Sequence, residues 1–317
     1  MKPSHVTVGV AASILWLTLS RIASAQPSAC NMQLAFNQKD GNAPGGTTPV
    51  WEGSATGQTP AALMFIEKMN VNTDGTRRSY NVSDFWGEKV ALNNLCNAMS
   101  DACAGLDSEG LRQRRILTQQ ARELGWPREM TRHTRISPHI IPFKNGKPCP
   151  EVDGYLVSAT ALHRLTINDV CDISNYVDAL VTPAIVLPKG NSSEFARRNA
   201  RIGDLVVALR PGSNTPVFAV VGDSGPSGEL GEGSVALNGR LLAKTNPPEN
   251  YREVRGRSPF QGKAWTVPPT FLLIFPGTRN PSDPFMTPER IDPEAKRLFE
   301  HWGGLPRAQA CINAYRR

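Results

Sequence analysis

The sequence lacks a long apolar segment outside its first 25 residues. The apolar run 6–19 follows Lys2 and precedes Ala23-Ser24-Ala25, a pattern typical of a secretory signal peptide that ends at Ala25. No later run approaches the roughly 20 apolar residues that a membrane-spanning helix requires. We therefore expect a secreted protein, extracellular or periplasmic, with no membrane partner.

Metal-binding spacings are also missing. The chain has only 5 histidines, and none of its 6 cysteines forms a Cys-x-x-Cys pair or stands at ligand spacing from a histidine. We therefore expect neither a metal nor a cofactor. An even number of cysteines in an exported chain indicates disulfides instead. The predicted pairs are Cys96 with Cys103 and Cys30 with Cys311.

No long run of one charge sign is present. Without residues 1–25 the chain keeps 33 basic and 28 acidic side chains, a net charge of +5. The basic residues are scattered and accompany no recognition motif, so we expect no nucleic-acid partner. A monomer is expected. The small positive charge favours anionic partners such as bacterial wall polymers.

The distribution of turn residues and apolar runs predicts one main domain with extensions. Residues 26–60 are rich in Gly, Pro, Thr and Asn, which favours an irregular arm. Residues 61–284 are expected to form the catalytic domain and 285–317 a helical tail. A helical insertion is predicted at about 84–125, with one helix from Asp84 through Ser100 and another that begins at Ser108 and stops before Gly125.

Short β-like runs dominate the second half of the chain. They are separated by Pro and Gly, which is typical of a small barrel or sandwich. The predicted strands are 155–158, 182–187, 204–209, 217–221 and 270–275. The expected fold is therefore mainly β, with helical insertions.

Two carboxylates follow the strand predicted at 217–221. Asp223 and Glu232 are nine residues apart across a glycine-rich loop that can face them across a cleft. Such a pair is typical of glycosidases, in which one carboxyl group protonates the leaving oxygen and the other activates water. We expect Asp223 to be the acid, since burial at a strand end raises its pKa, although the reverse assignment is open. A solvated surface turn is the alternative.

The same segment contains a protease-like motif. Gly222-Asp223-Ser224-Gly225-Pro226 resembles the nucleophile segment of trypsin-type proteases, with His163 as a candidate base. One glycine of that motif is missing, and His163 precedes Ser224 by only 61 residues, which is too few for the two barrels of such an enzyme. We therefore do not favour this interpretation.

Several motifs, taken together and in order, resemble glycoside hydrolase family 75, the fungal-type chitosanases and their bacterial relatives. The matching segments are Met69–Gly75 with Tyr80, Tyr176–Ala179, Pro183–Pro188, Ile202–Leu205, Gly222–Pro226 with Gly231–Ser234, and Phe271–Gly277. The resemblance covers about residues 62–277. It implies a double-psi-like β-barrel and an inverting endo-glycanase that cuts β-1,4-linked glucosamine-containing polymer, with Asp223 and Glu232 as the catalytic pair. Asn72 and Ala184 depart from the family pattern, which usually has Asp and Tyr there.

The residues expected to bind substrate are Asp74, Tyr176, Asp178 and Glu229. In this interpretation the acids attract the cationic or hydroxyl groups of the sugar. The alternatives are that Asp74 is only the turn residue of Thr-Asp-Gly and that Asp178 only caps a strand end.

Two other functions remain open from the sequence. A peptidoglycan-acting lytic or hydrolytic enzyme could use a related barrel. A non-catalytic protein could instead bind wall glycans through aromatic side chains such as Trp86, Trp265 and Trp302.

Overall fold

The computed structural model describes residues 29–190 and 192–315. The predicted signal peptide lies outside these ranges. The strands are β1 (Gln33–Lys39), β2 (Thr47–Gly53), β3 (Ala62–Asn72), β4 (Phe143–Lys144), β5 (Lys147–Pro148), β6 (Ala184–Pro188), β7 (Leu205–Leu209), β8 (Val217–Gly225), β9 (Glu232–Ser234) and β10 (Val267–Phe275). The α-helices are α1 (Ser108–Glu123), α2 (Arg128–Thr134), α3 (Glu194–Arg197), α4 (Val235–Leu241), α5 (Tyr251–Val254), α6 (Pro288–Trp302) and α7 (Gly304–Tyr315).

Six strands close into a mixed barrel in the order β3-β10-β7-β8-β6-β9, and β9 pairs back with β3. The β6–β8 and β3–β9 pairs are parallel, and the other pairs are antiparallel. The prediction of a small, mainly β barrel with helical insertions is confirmed. Closure leaves every barrel strand with a neighbour on each side, so no barrel edge is exposed.

Both faces of the barrel strands are buried. Along β10, Phe271 and Leu273 pack with the C-terminal helices α6 and α7. Leu272 and Ile274 point to the opposite face, where they pack in a separate apolar cluster. Strands buried on both faces read as continuous apolar runs rather than as alternating ones. This is why β6, β7, β8 and β10 were predictable. The strand predicted at 155–158 is absent, since these residues make only two isolated bridges, Tyr155 with Val152 and Leu156 with Tyr80.

The irregular arm expected for 26–60 is not what the structure contains. β1 and β2 form an antiparallel hairpin, and β2 extends the sheet by pairing with β3. The Asp40 carboxylate organises the turn between them, since it accepts hydrogen bonds from the Asn42 amide at 2.9 Å and the Thr48 hydroxyl at 2.9 Å. The Gly- and Pro-containing turn between β1 and β2 dominated the composition of 26–60, so composition alone did not predict the two strands.

The helix predicted from Asp84 through Ser100 is wrong. This segment consists of turns with one short 3₁₀ helix, Leu95–Ala98. The Asp84 carboxylate accepts hydrogen bonds from four successive backbone amides, 88–91, and so holds a loop closed instead of starting a helix. The second predicted helix is present as α1, with Asp107 as its N-cap, and the C-terminal tail is helical as expected.

Three disulfides tie these parts together. Cys30–Cys311 joins the start of the described chain to α7, and Cys96–Cys103 closes a short loop, as predicted. Cys149–Cys171 is the third bridge. Such a set fits folding in an oxidising compartment. Among the described residues, no helix is long and apolar enough to cross a bilayer.

Candidate active site

Asp223 and Glu232 lie on two strands that flank β6. Asp223 lies on β8 and Glu232 on β9. Both are paired with the same residue of β6, Val186. Directly opposed residues of neighbouring strands point to the same face of a sheet. Two strand spacings separate their Cα atoms by about 9.5 Å. The barrel therefore places the two carboxyl groups on one face, across a single intervening residue.

A local irregularity sets this register. The pairing of β6 with β8 shifts between Ile185 and Val186, so that Gly222 is skipped. A Cβ atom at Gly222 would lie only 2.7 Å from the Cβ of Ala184, so the two strands approach too closely for any larger residue. A bulge of this kind redirects the side chain that follows it, here Asp223.

Asn72, at the end of β3, acts on both carboxyl groups. Its Nδ2 lies 3.5 Å from Asp223 Oδ2, and its side chain also lowers the pKa of Glu232. Its Oδ1 accepts a hydrogen bond from the Asp74 amide at 2.7 Å, which fixes the orientation of the side chain. Asn72 therefore favours the ionised form of both groups.

Burial raises the pKa of Asp223 to about 6. Three donors oppose this effect by stabilising the ionised form. The backbone amides of Ala161 and Ser224 donate to Oδ1 at 2.9 Å and 2.8 Å, and the Asn72 side chain contacts Oδ2. Asp223 is thus a buried carboxylate with a prepared set of hydrogen-bond donors.

Glu232 has fewer hydrogen-bond donors than Asp223 and a larger number of negatively charged neighbours. Burial, followed by repulsion from Glu229 and Asp223, raises its pKa to about 7, and only Asn72 opposes the shift. Asp223 is therefore the group of the pair that ionises first as the pH rises, and Glu232 keeps its proton to higher pH. This order favours the reverse assignment that the sequence left open, with Glu232 as the acid. An aspartate has a lower ordinary pKa than a glutamate, and two backbone amides further stabilise the ionised form of Asp223.

Asp74 is a third carboxyl group at this site. Its pKa is raised well above the ordinary range, first by burial and then by the charges of Asp223 and Glu232, while a hydrogen bond from Tyr80 acts in the opposite direction. The sequence predicted an acid that attracts cationic groups. Burial and the neighbouring charges instead favour the protonated form of Asp74.

The site pocket is narrow. It has about 10 Å³ of space for a water-sized group, which is room for about one water molecule. Its lining residues are Asn72, Asp74, Thr160, Val177, Ala179, Ala184, Ile185, Val186, Gly222, Asp223 and Ser234. A larger hollow of about 420 Å³ lies along α1, and none of these residues lines it.

The other predicted binding residues lie outside this pocket. The Tyr176 hydroxyl donates to the Val170 carbonyl at 2.8 Å. Asp178 accepts from the Leu180 amide at 2.9 Å, so it caps the turn that follows it. Burial also raises the pKa of Asp178. Glu229 is exposed on the loop before β9, where its charge acts on Glu232.

The structure does not support the protease interpretation. His163 is exposed, and its Nδ1 contacts the Ala161 carbonyl at 3.1 Å. Within residues 29–190 and 192–315, no hydrogen bond joins His163 to Ser224. The same ranges contain no cluster of three or more side chains arranged to hold a metal ion.

Two of the three tryptophans considered for glycan binding are unavailable for stacking. Trp265 and Trp302 are only 2% and 1% exposed, and Trp86 is half-buried beside Phe85. Sequence reasoning also missed two polar residues of the site: Asn72, seen only as a departure from the family pattern, and Tyr80, noted only as part of a motif.

Comparison with known proteins adds no relative. No protein-family model matches the chain. No curated protein matches it at a significant level. The functional proposal therefore depends on the geometry of the carboxyl pair and on the ordered motifs in the sequence.

Proposed function

We propose that the chain is a secreted endo-glycosidase that hydrolyses β-1,4 bonds in a glucosamine-containing polysaccharide with inversion. The observation that carries this proposal is the placement of Asp223 and Glu232 on either side of Val186, with raised and separated pKa values. Two carboxyl groups whose environments separate their pKa values are the equipment of acid–base glycoside hydrolysis. The polymer class comes from the resemblance to family 75.

In this mechanism Glu232 is the acid and Asp223 is the base. Glu232 donates its proton to the glycosidic oxygen as the bond to the anomeric carbon breaks. Asp223 accepts a proton from a water molecule, whose oxygen forms the new bond to that carbon from the opposite face. The products are a free hydroxyl on the leaving sugar and a reducing end of inverted configuration, and one proton has moved from water to Asp223 while Glu232 has lost one.

A peptidoglycan-acting hydrolase is the second candidate. It is favoured by the weaker tendency of two acids to ionise, because burial raises the pKa of both Asp74 and Asp178. A cluster of this kind attracts a polycation weakly, and the net charge without residues 1–25 is positive. The binding-protein alternative is less favoured, since Trp265 and Trp302 are buried.

A reducing-end assay on chitosan, chitin, peptidoglycan and cellulose tests the proposal. We expect turnover of chitosan, and a loss of about 10² to 10⁴ in kcat for Asp223→Asn and for Glu232→Gln. Ser224→Ala is the matched control, because its exposed hydroxyl has no role in the mechanism. Turnover of peptidoglycan alone would favour the second candidate, and a dead Ser224→Ala beside an active Glu232→Gln would overturn both.

The anomeric configuration of the first product separates inversion from retention. Proton NMR of a fresh digest of chitosan oligomers should show the α-anomer before mutarotation. Immediate appearance of the β-anomer would mean that one carboxyl group attacks the sugar directly.

A further inference from the structure

One oxygen of the Asp74 carboxyl group has no partner in the protein. Asp74 Oδ1 is buried and makes no hydrogen bond, although the carboxyl group lines the same pocket as Asn72 and Asp223. A buried polar atom without a partner costs free energy, and native proteins rarely retain one without a ligand, a water or a functional reason. This oxygen therefore points to something that the site binds.

Tyr80 favours ionisation of Asp74, since its hydroxyl acts on that carboxyl group as a donor and lowers its pKa. The Tyr80 hydroxyl accepts a hydrogen bond from Asn93 Nδ2 at 3.2 Å, so its single proton is free to be donated elsewhere. The Asn93 side chain is itself held, because its Oδ1 accepts from Asn97 Nδ2 at 2.6 Å.

The surroundings of Asp74 favour the neutral acid. The group is buried, and the nearby charged groups that act on it, Asp223 and Glu232, are both acidic. A protonated carboxyl group has one O–H donor. In this form Asp74 can donate a hydrogen bond from Oδ1, the oxygen without a partner, into the pocket.

The size of the pocket limits what can bind to Asp74 Oδ1. About 10 Å³ has room for one water molecule, and a sugar ring does not fit. We propose that Asp74 is a third catalytic residue, whose protonated oxygen donates a hydrogen bond to the water that Asp223 activates. This inference rests on the proposed hydrolase function.

The role follows from the geometry of a water molecule. Asp74 engages one lone pair of the water, and Asp223 accepts one of its protons. The remaining lone pair then has a fixed direction, toward the substrate, and such orientation lowers the entropic part of the barrier. Asp74 keeps its own proton throughout, so the proton balance of the reaction is unchanged.

Kinetics of Asp74→Asn and Asp74→Ala in the full chain test this role, with chitosan as substrate. Asparagine keeps both functions, because its oxygen accepts from Tyr80 and its amide nitrogen donates to the water. We expect Asp74→Asn to retain kcat within about 5-fold, and Asp74→Ala to lose about 10² in kcat with KM little changed. Asp292→Asn, an exposed position on α6, is the matched control.

Two kinetic results would overturn the inference. A loss in Asp74→Asn as large as that in Asp223→Asn would mean that Asp74 works as an ionised group. A raised KM with an unchanged kcat in Asp74→Ala would mean that Asp74 binds the sugar and not the water.

A measurement without substrate separates this inference from the proposed function. In protein labelled with ¹³C at the aspartate carboxyl carbon, the Asp74 signal, assigned with Asp74→Asn, should titrate at a higher pH than the Asp223 signal. An Asp74 signal that titrates below that of Asp223 overturns the inference even if the enzyme is active. A wild type that cleaves none of the four polysaccharides removes the proposed function, whatever the state of Asp74.

Discussion

Glu232 should lower the stability of the folded protein at neutral and alkaline pH. Its pKa rises from the ordinary 4.5 to about 7 on folding, so the folded chain binds this proton more tightly than the unfolded chain does. Stability is therefore lost as the pH rises from about 4.5 to 7, and the full cost is present above pH 7. The shift corresponds to about 2 to 3 kcal/mol, at 1.4 kcal/mol for each pKa unit with a discount for partial exposure.

Glu232→Gln removes this cost, since a glutamine never ionises. Urea unfolding of the variant and the wild type should give equal free energies at pH 4 and a variant that is about 2 to 3 kcal/mol more stable at pH 8. Glu123→Gln, at the exposed end of α1, is the control and should show no such pH-dependent difference. A variant that differs equally from the wild type at both pH values would refute the raised pKa, and with it the acid role of Glu232.

Three further predictions follow from the site and the disulfides. The pH profile of kcat/KM should be bell-shaped, with limbs near 6 and 7 that belong to the coupled Asp223 and Glu232 pair; a single limb would contradict two titrating groups. Asn72→Ala removes the side chain that lowers both pKa values, so both limbs should move to higher pH in the same assay. An unmoved pH profile would mean that Asn72 does not stabilise the ionised forms of the pair. Thiol titration of denatured, unreduced protein should find no free cysteine, and the double variant Cys30→Ser with Cys311→Ser should unfold with about 2 to 5 kcal/mol less free energy; two reactive thiols in the wild type would contradict the bridges.

The barrel strands were predictable where burial on both faces leaves a strong pattern. β6, β7 and β8 are short apolar runs bounded by Pro or Gly, and they were predicted to within a few residues. β1 and β2 were not, because half-exposed strands with polar residues resemble a loop when turn residues surround them. The helix at 84–100 was predicted wrongly because an aspartate that caps a helix can equally close a loop.

The carboxyl pair could be predicted from the sequence, but the order of its pKa values could not. The pKa of Asp223 depends on the Ala161 amide, which comes from a segment 62 residues before it, and on Asn72, which is 151 residues before it. No local pattern records such contacts. The sequence signals burial at the end of a strand, which raises the pKa of Asp223, whereas the opposing hydrogen bonds arise only from the closed barrel.

The protonation states of the site bear directly on the polymer. The acids of the site were expected to attract a cationic chain, yet burial favours the neutral form of Asp74, and Glu232 must be protonated to act as the acid. Asp223 and Glu229 then carry the charge closest to the reacting bond, and Glu229 is exposed, where a Debye length of about 8 Å screens it. Recognition of the sugar must therefore depend more on hydrogen bonds and shape than on charge. An enzyme of this kind discriminates weakly between acetylated and free amino sugars, which is why chitin and peptidoglycan belong beside chitosan in the first assay.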